Sequence, residues 1–293
     1  MDDSPRPSGL QTLVPSVPSV LAAGLRRPET LAIRRPWKGL NPYSSEFAVS
    51  TLPPLLRQLD GGIETIYFVG HSAGCPISLR CYVEAMKDPL KFLPEGSTVG
   101  GCLMASPALL ELNEDPDAYD QSEDDGSRIP LPLRLAAFRT LLSLPDAFSI
   151  KLARRLVERD VREALLAQTH PRMAEADMTG RVQELAEKYL SPTREFADNW
   201  DTALLNVYRA DVGNKEVLKG RKLLSEAKTV KRSRIGVLTG DTDGVVPVRA
   251  SRRVAELLGV PLQVIERCGH IPMDEVPEEF ASRVLDFIAN ARA

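Results

Sequence analysis

Gly70-His71-Ser72-Ala73-Gly74 sets a serine between two glycines, directly after the apolar run "TIYFV". A serine hydroxyl is a weak nucleophile until a base takes its proton, and the base needs a carboxylate to fix its tautomer. The chain holds three histidines, His71, His170 and His270. His71 adjoins the serine and reads as a packing residue that supports it. His170, in "AQTHPR", precedes a proline at an expected helix end and reads as a cap. His270, in "RCGHIPMDEVPEEF", falls between a strand-like run and the last helix, where the C-terminal edge of a sheet would present it. Two carboxylates, Asp241 and Asp243, follow another apolar run in "VLTGDTDGVVP". Each segment has a plainer reading. A bare GxSxG is also a turn that happens to hold a serine, and Asp-Gly after a strand is common turn chemistry. The order serine, aspartate, histidine, each after its own strand, favours nucleophilic catalysis over three unrelated turns. The glycine spacing is not the GxGxxG of a dinucleotide loop.

The elements that must position these residues are legible as a βα rhythm. "TIYFV" is a β-branched and aromatic strand, and residues 77–86 form a helix with Pro76 in its first turn. "VGGCLMASPAL" is apolar throughout, as a parallel strand buried on both faces should be. "SRIGVLTG" and "LQVIER" read as two further strands around the helix "RASRRVAELLG", which Gly259 closes. The last helix sets Phe280, Val284, Phe287 and Ile288 on one face. Upstream, "SEFAVSTLPPLLRQL" is helical in spacing, with Pro53-Pro54 expected to kink or restart it. Between these parts lie an acidic stretch, 111–125, and a helical pattern over 131–209.

Composition narrows the function classes. A formal charge of −3 and no basic stripe interleaved with aromatics argue against a nucleic-acid partner. No apolar run reaches bilayer-spanning length, so no transmembrane segment is expected. Cys75, Cys81, Cys102 and Cys268 have no CxxC spacing, and neither a metal nor any other cofactor is implied. This cysteine usage makes a reducing intracellular compartment the default.

"VGHSAGCP", "NPYSSEFAV", "GDTD…VP" and "RCGHIP" together resemble the α/β-hydrolase superfamily, and within it a group common in plants and algae, many without an assigned substrate. The resemblance spans residues 36–290 and implies a mostly parallel sheet flanked by helices, with an inserted helical lid. In that family a glycine is followed three residues later by aspartate and then by Val-Pro, which selects Asp243 over Asp241 as the acid. The implied triad is Ser72, Asp243 and His270, with Gly70, Ala73 and Gly74 forming the elbow and Ala73 N–H serving the oxyanion. The implied organisation is an atypical leader (1–35), a first core part (36–108), an acidic linker and lid (109–230) and a second core part (231–293). Relatives of this kind are often plastid-associated, which leaves cytoplasm or plastid as the expected compartment. They also carry strands and a His-Gly loop ahead of the elbow, and no histidine precedes His71. An N-terminally truncated sheet is therefore expected, with "TIYFV" at its edge and one oxyanion donor missing, a loss of about 2.7–4 kcal/mol in transition-state stabilisation. The function implied is acyl hydrolysis of a small apolar ester or related small molecule. The alternative is an impaired hydrolase-fold remnant that acts as a binding protein.

Overall fold

The computed structural model describes residues 45–58, 63–109, 220–230 and 234–292. Its elements are α1 (Ser45–Leu56), β1 (Thr65–His71), α2 (Gly74–Lys87), α3 (Pro89–Phe92), β2 (Thr98–Ala105) and α4 (Gly220–Thr229). They are followed by β3 (Ile235–Gly240), α5 (Val248–Leu258), β4 (Leu262–Ile265), α6 (Pro272–Glu275) and α7 (Pro277–Arg292). The four strands form one sheet in the order β1-β2-β3-β4, and every neighbouring pair is parallel. Parallel pairing sends every strand out at the same edge, so the loops after β1, β2, β3 and β4 share one rim of the molecule.

The central strands β2 and β3 bury both faces, as their unbroken apolar runs require. Cys102, Met104, Ile235 and Val237 point to one side and pack with Leu79, Tyr82 and Val83 of α2, Leu223 and Leu224 of α4, and Val254 and Leu258 of α5. Leu103, Ala105, Leu238 and Ile265 point to the other, where Phe287 of α7 is the central residue and Phe280, Val284 and Ile288 pack around it. The alternation follows the two-residue period of a strand. Helix α1 lays Val49, Leu52 and Leu56 on the first cluster and runs from Ser45 to Leu56 with Pro53 and Pro54 inside it, so the expected restart does not occur. Helix α4, which falls within the stretch expected to be linker and lid, packs against α2 and α5. Its Glu226 bridges Arg80 at 3.0 Å and Lys87 at 2.9 Å. The rest of that stretch, 110–219, lies outside the described residues, as do the leader and the segment ahead of Ser45. Among the described residues β1 has β2 as its one neighbour, and Val69 is 45% exposed.

The two glycines of "VGGC" have separate causes. The register between β1 and β2 slips by one residue, from Ile66 opposite Val99 to Tyr67 opposite Gly101, which leaves Gly100 as the extra residue. The Tyr67 ring lies where a Gly100 side chain would be, and it meets Phe287 edge to face at 6.4 Å. A Cβ on Gly101 would come within 2.7 Å of the Arg234 carbonyl. Gly100→Ala should therefore destabilise the protein by about 1–3 kcal/mol in urea denaturation, as overpacking does. In a Tyr67→Leu background the same substitution should cost at least ~0.5 kcal/mol less, because the obstructing ring is gone. Equal costs in the two backgrounds would show that the ring does not impose the glycine.

Candidate active site

Ser72 stands one residue past β1 with φ at +51°, a left-handed conformation that a non-glycine residue adopts only when its surroundings enforce it. Three backbone bonds enforce it here. Ser72 N–H donates to the Ala105 carbonyl at 2.9 Å, which carries the β1–β2 ladder one step into the turn. Cys75 N–H and Ala108 N–H donate to the Ser72 carbonyl at 3.0 and 3.4 Å. Gly70 is the residue that lets helix α2 leave so sharply. A Cβ there would stand 2.7 Å from Ser78 Oγ, 2.8 Å from Cys75 Cα and 2.9 Å from the Gly74 carbonyl. Gly74 differs, since a Cβ would meet nothing within 4 Å. Ala73 lies at the N-cap of α2 with φ −62° and ψ −14°.

The loops after β3 and β4 bring the other two predicted residues to the serine. Ser72 Oγ–H donates to His270 Nε2 at 3.1 Å. His270 Nδ1–H donates to Asp243, at 2.9 Å from Oδ2 and 3.0 Å from Oδ1. A carboxylate only accepts, so the proton belongs on Nδ1, and Nε2 is free to accept from the serine. Asp243 is 5% exposed and His270 8% exposed. A buried carboxylate needs donors, and Asp243 Oδ1 also accepts Val245 N–H at 2.9 Å and Val246 N–H at 2.8 Å. Those contacts define the turn "DGVVP" and aim the carboxylate at the ring. A hydroxyl bonded to an imidazole backed by a carboxylate can surrender its proton as it attacks an electrophilic carbon.

Asp241 has a different task from Asp243. It accepts Cys268 N–H at 3.0 Å and so ties the β3 loop to the β4 loop. His71 donates through Nε2–H to the His270 carbonyl at 2.7 Å, and its ring lies 4.8 Å from that of His270. Burial, reinforced by the neighbouring His270, lowers the pKa of His71, which keeps it a neutral donor at neutral pH. Burial holds the Cys268 thiol protonated, pushed up to about 12 with help from Glu275, Asp241 and Asp243, so it is no rival nucleophile. Glu275 is a residue that sequence reasoning missed. Its carboxylate accepts Gly269 N–H at 2.8 Å and Ile271 N–H at 2.9 Å. The available signal was an acidic residue five positions past the histidine, at the end of a short helix started by Pro272. Its partners are backbone amides, which no sequence pattern marks. Among the described residues no cluster of His, Cys, Asp and Glu is arranged to hold a metal ion.

The asymmetry between the two elbow glycines is measurable. Gly70→Ala should cost about 1–3 kcal/mol of stability, since the obstructing atoms include rigid backbone. Gly74→Ala should be neutral or stabilising by up to ~1 kcal/mol, because alanine loses less chain entropy in a helical turn. Urea denaturation of the two variants side by side tests this, and equal destabilisation would refute the packing account.

No protein with a curated description matches this sequence. Solved structures match its fold. An α/β hydrolase from a Medee basin deep-sea metagenome is 18% identical, with 87% of this chain and 76% of that one covered and a TM-score of 0.53. A serine hydrolase involved in carbazole degradation is 15% identical, with 88% and 76% covered and a TM-score of 0.52. A thermophilic esterase from Thermogutta terrifontis is 14% identical, with 87% and 75% covered and a TM-score of 0.50. At such identities the likeness concerns the fold. The model of the alpha/beta hydrolase family, however, matches residues 8–283, nearly the whole sequence, and the chain belongs to that family.

Proposed function

We propose that the protein is a serine hydrolase that cleaves a small apolar ester or a related acyl compound. The observation that carries this reading is the continuous hydrogen-bonded chain from Ser72 Oγ through His270 to Asp243. In the reaction, Ser72 Oγ attacks the substrate carbonyl carbon while its proton passes to His270 Nε2. Asp243 keeps the ring in the right tautomer and stabilises the imidazolium that forms. Ala73 N–H, at the head of α2, receives the developing oxyanion. One such donor is worth about 10²–10³-fold in kcat. Collapse of the tetrahedral intermediate expels the alcohol, which takes the proton from Nε2 and leaves an acyl group on Ser72. Water, deprotonated by the same nitrogen, then releases the acid and restores the serine.

A fluorophosphonate probe and p-nitrophenyl acetate test this reading. The folded protein should gain the mass of one phosphonyl group on Ser72, and Ser72→Ala should abolish both labelling and turnover. Asp243→Asn should keep the fold and slow turnover by roughly 10⁴-fold, since the amide favours the wrong tautomer. Labelling that survives Ser72→Ala, or a folded protein inert to both reagents, would overturn the proposal.

A further inference from the structure

The loop that carries His270 leaves β4 after Ile265 and no longer pairs with a strand, yet Cys268, Gly269 and His270 are all buried. Its backbone groups therefore need partners from elsewhere. A peptide unit is planar, so holding its C=O and its N–H from opposite sides fixes its orientation. Two units of this loop, one that ends at Gly269 and one that begins at His270, are held in this way. In the unit joining Cys268 to Gly269, the carbonyl accepts from Thr242 N–H at 3.0 Å and Thr242 Oγ1–H at 2.9 Å, and the N–H donates to Glu275 Oε2 at 2.8 Å. In the unit joining His270 to Ile271, the carbonyl accepts from His71 Nε2–H at 2.7 Å, and the N–H donates to Glu275 Oε1 at 2.9 Å.

We infer that Glu275 is a positioning residue for the base: its two carboxylate oxygens grip the Cys268–Gly269 and His270–Ile271 peptide units, which bracket His270, and so hold the imidazole between Ser72 and Asp243. The inference rests on the serine-hydrolase reading for its kinetic consequence but not for its geometry. Both bonds are charge-assisted, and such bonds are roughly twice as strong as neutral ones. No close substitute exists among the other side chains. Glutamine offers one oxygen and would turn an NH2 group toward the second amide, and aspartate is one methylene shorter. Because His270 must meet a hydroxyl on one nitrogen and a carboxylate on the other, a displacement near 1 Å costs on the order of 10²-fold in rate. The effect belongs in kcat, since Glu275 has no reason to touch substrate.

Glu275→Gln and Glu275→Ala test the inference in the full chain, with two independent readouts. On p-nitrophenyl acetate, kcat and the rate of fluorophosphonate labelling should fall about 10–100-fold, with KM changed by no more than about twofold. In proton NMR, the low-field Nδ1–H signal of His270 should shift and exchange faster with water. This second readout needs no turnover. If the unaltered protein hydrolyses nothing, the catalytic reading fails while the NMR comparison still decides the grip. Should neither variant fold, Thr242→Val, which removes one bond from the opposite side of the same peptide unit, should produce the same changes at smaller size. Unchanged kcat and an unchanged His270 signal in the folded variants would overturn the inference, as would a rate loss that only tracks the unfolded fraction.

Discussion

The bond from Ser72 N–H to the Ala105 carbonyl, 2.9 Å long, is the contact on which the site depends. It extends a parallel ladder one residue beyond the strand, into a backbone conformation that costs roughly 1–3 kcal/mol for a residue with a side chain. The sheet supplies what offsets that cost. Past the bulge at Gly100, β1 and β2 keep one register to their last pair, His71 with Ala105, and the absent side chain at Gly70 lets α2 turn back immediately. β2 repeats the device one strand over. Ser106 has φ at +50°, and its N–H donates to the Leu238 carbonyl at 2.8 Å. Two adjacent strands thus end in the same strained step, and the rim of the sheet is stiff where chemistry would need it.

The β3 and β4 loops meet the same demand by other means. β3 runs two residues past its pairing with β2, to Gly240 opposite Ile265, so its loop starts beside the β4 loop rather than beside the elbow. Gly240 has no side chain to keep the carbonyls of Cys268 and Gly269 away. Asp241 and Thr242 then bond that loop directly. The three residues before Asp243 are therefore fasteners, and Asp243 is the first one free to face the ring.

Much of this was legible in the residues. Four strands, four of the helices and the convergence of Ser72, Asp243 and His270 follow from apolar runs and helical spacing, the strand runs each ending in a polar turn. Such runs locate strand ends, and parallel strands deliver their ends to one rim. The choice of Asp243 over Asp241 was not legible from spacing, because both follow β3 and both make hydrogen bonds across to the β4 loop. The resemblance made that choice, and the turn geometry explains it. Gly70 and Gly74 look equivalent in "GHSAG", whereas one is packed against backbone and the other faces open space. Helix α4 lies in the stretch that the resemblance assigns to linker and lid, and its Leu223, Leu224 and Ala227 are buried, a placement that no motif marks.

What the pattern hides most completely is the support behind the histidine. A catalytic side chain has a type that chemistry dictates, but the groups that hold its backbone need only be acceptors or donors at the right distance. Asp241, Glu275, Thr242 and His71 fill that need with three different chemistries, and all four bond backbone atoms rather than the ring. Two of them are anions close to a histidine that would become a cation in the proposed acyl transfer. Because each spends an oxygen or both oxygens on amide donors, neither competes with Asp243 for Nδ1. The division leaves one carboxylate to set the ring and two to set the chain that carries it, which is how the six-residue loop between β4 and α6 holds the His270 imidazole in place.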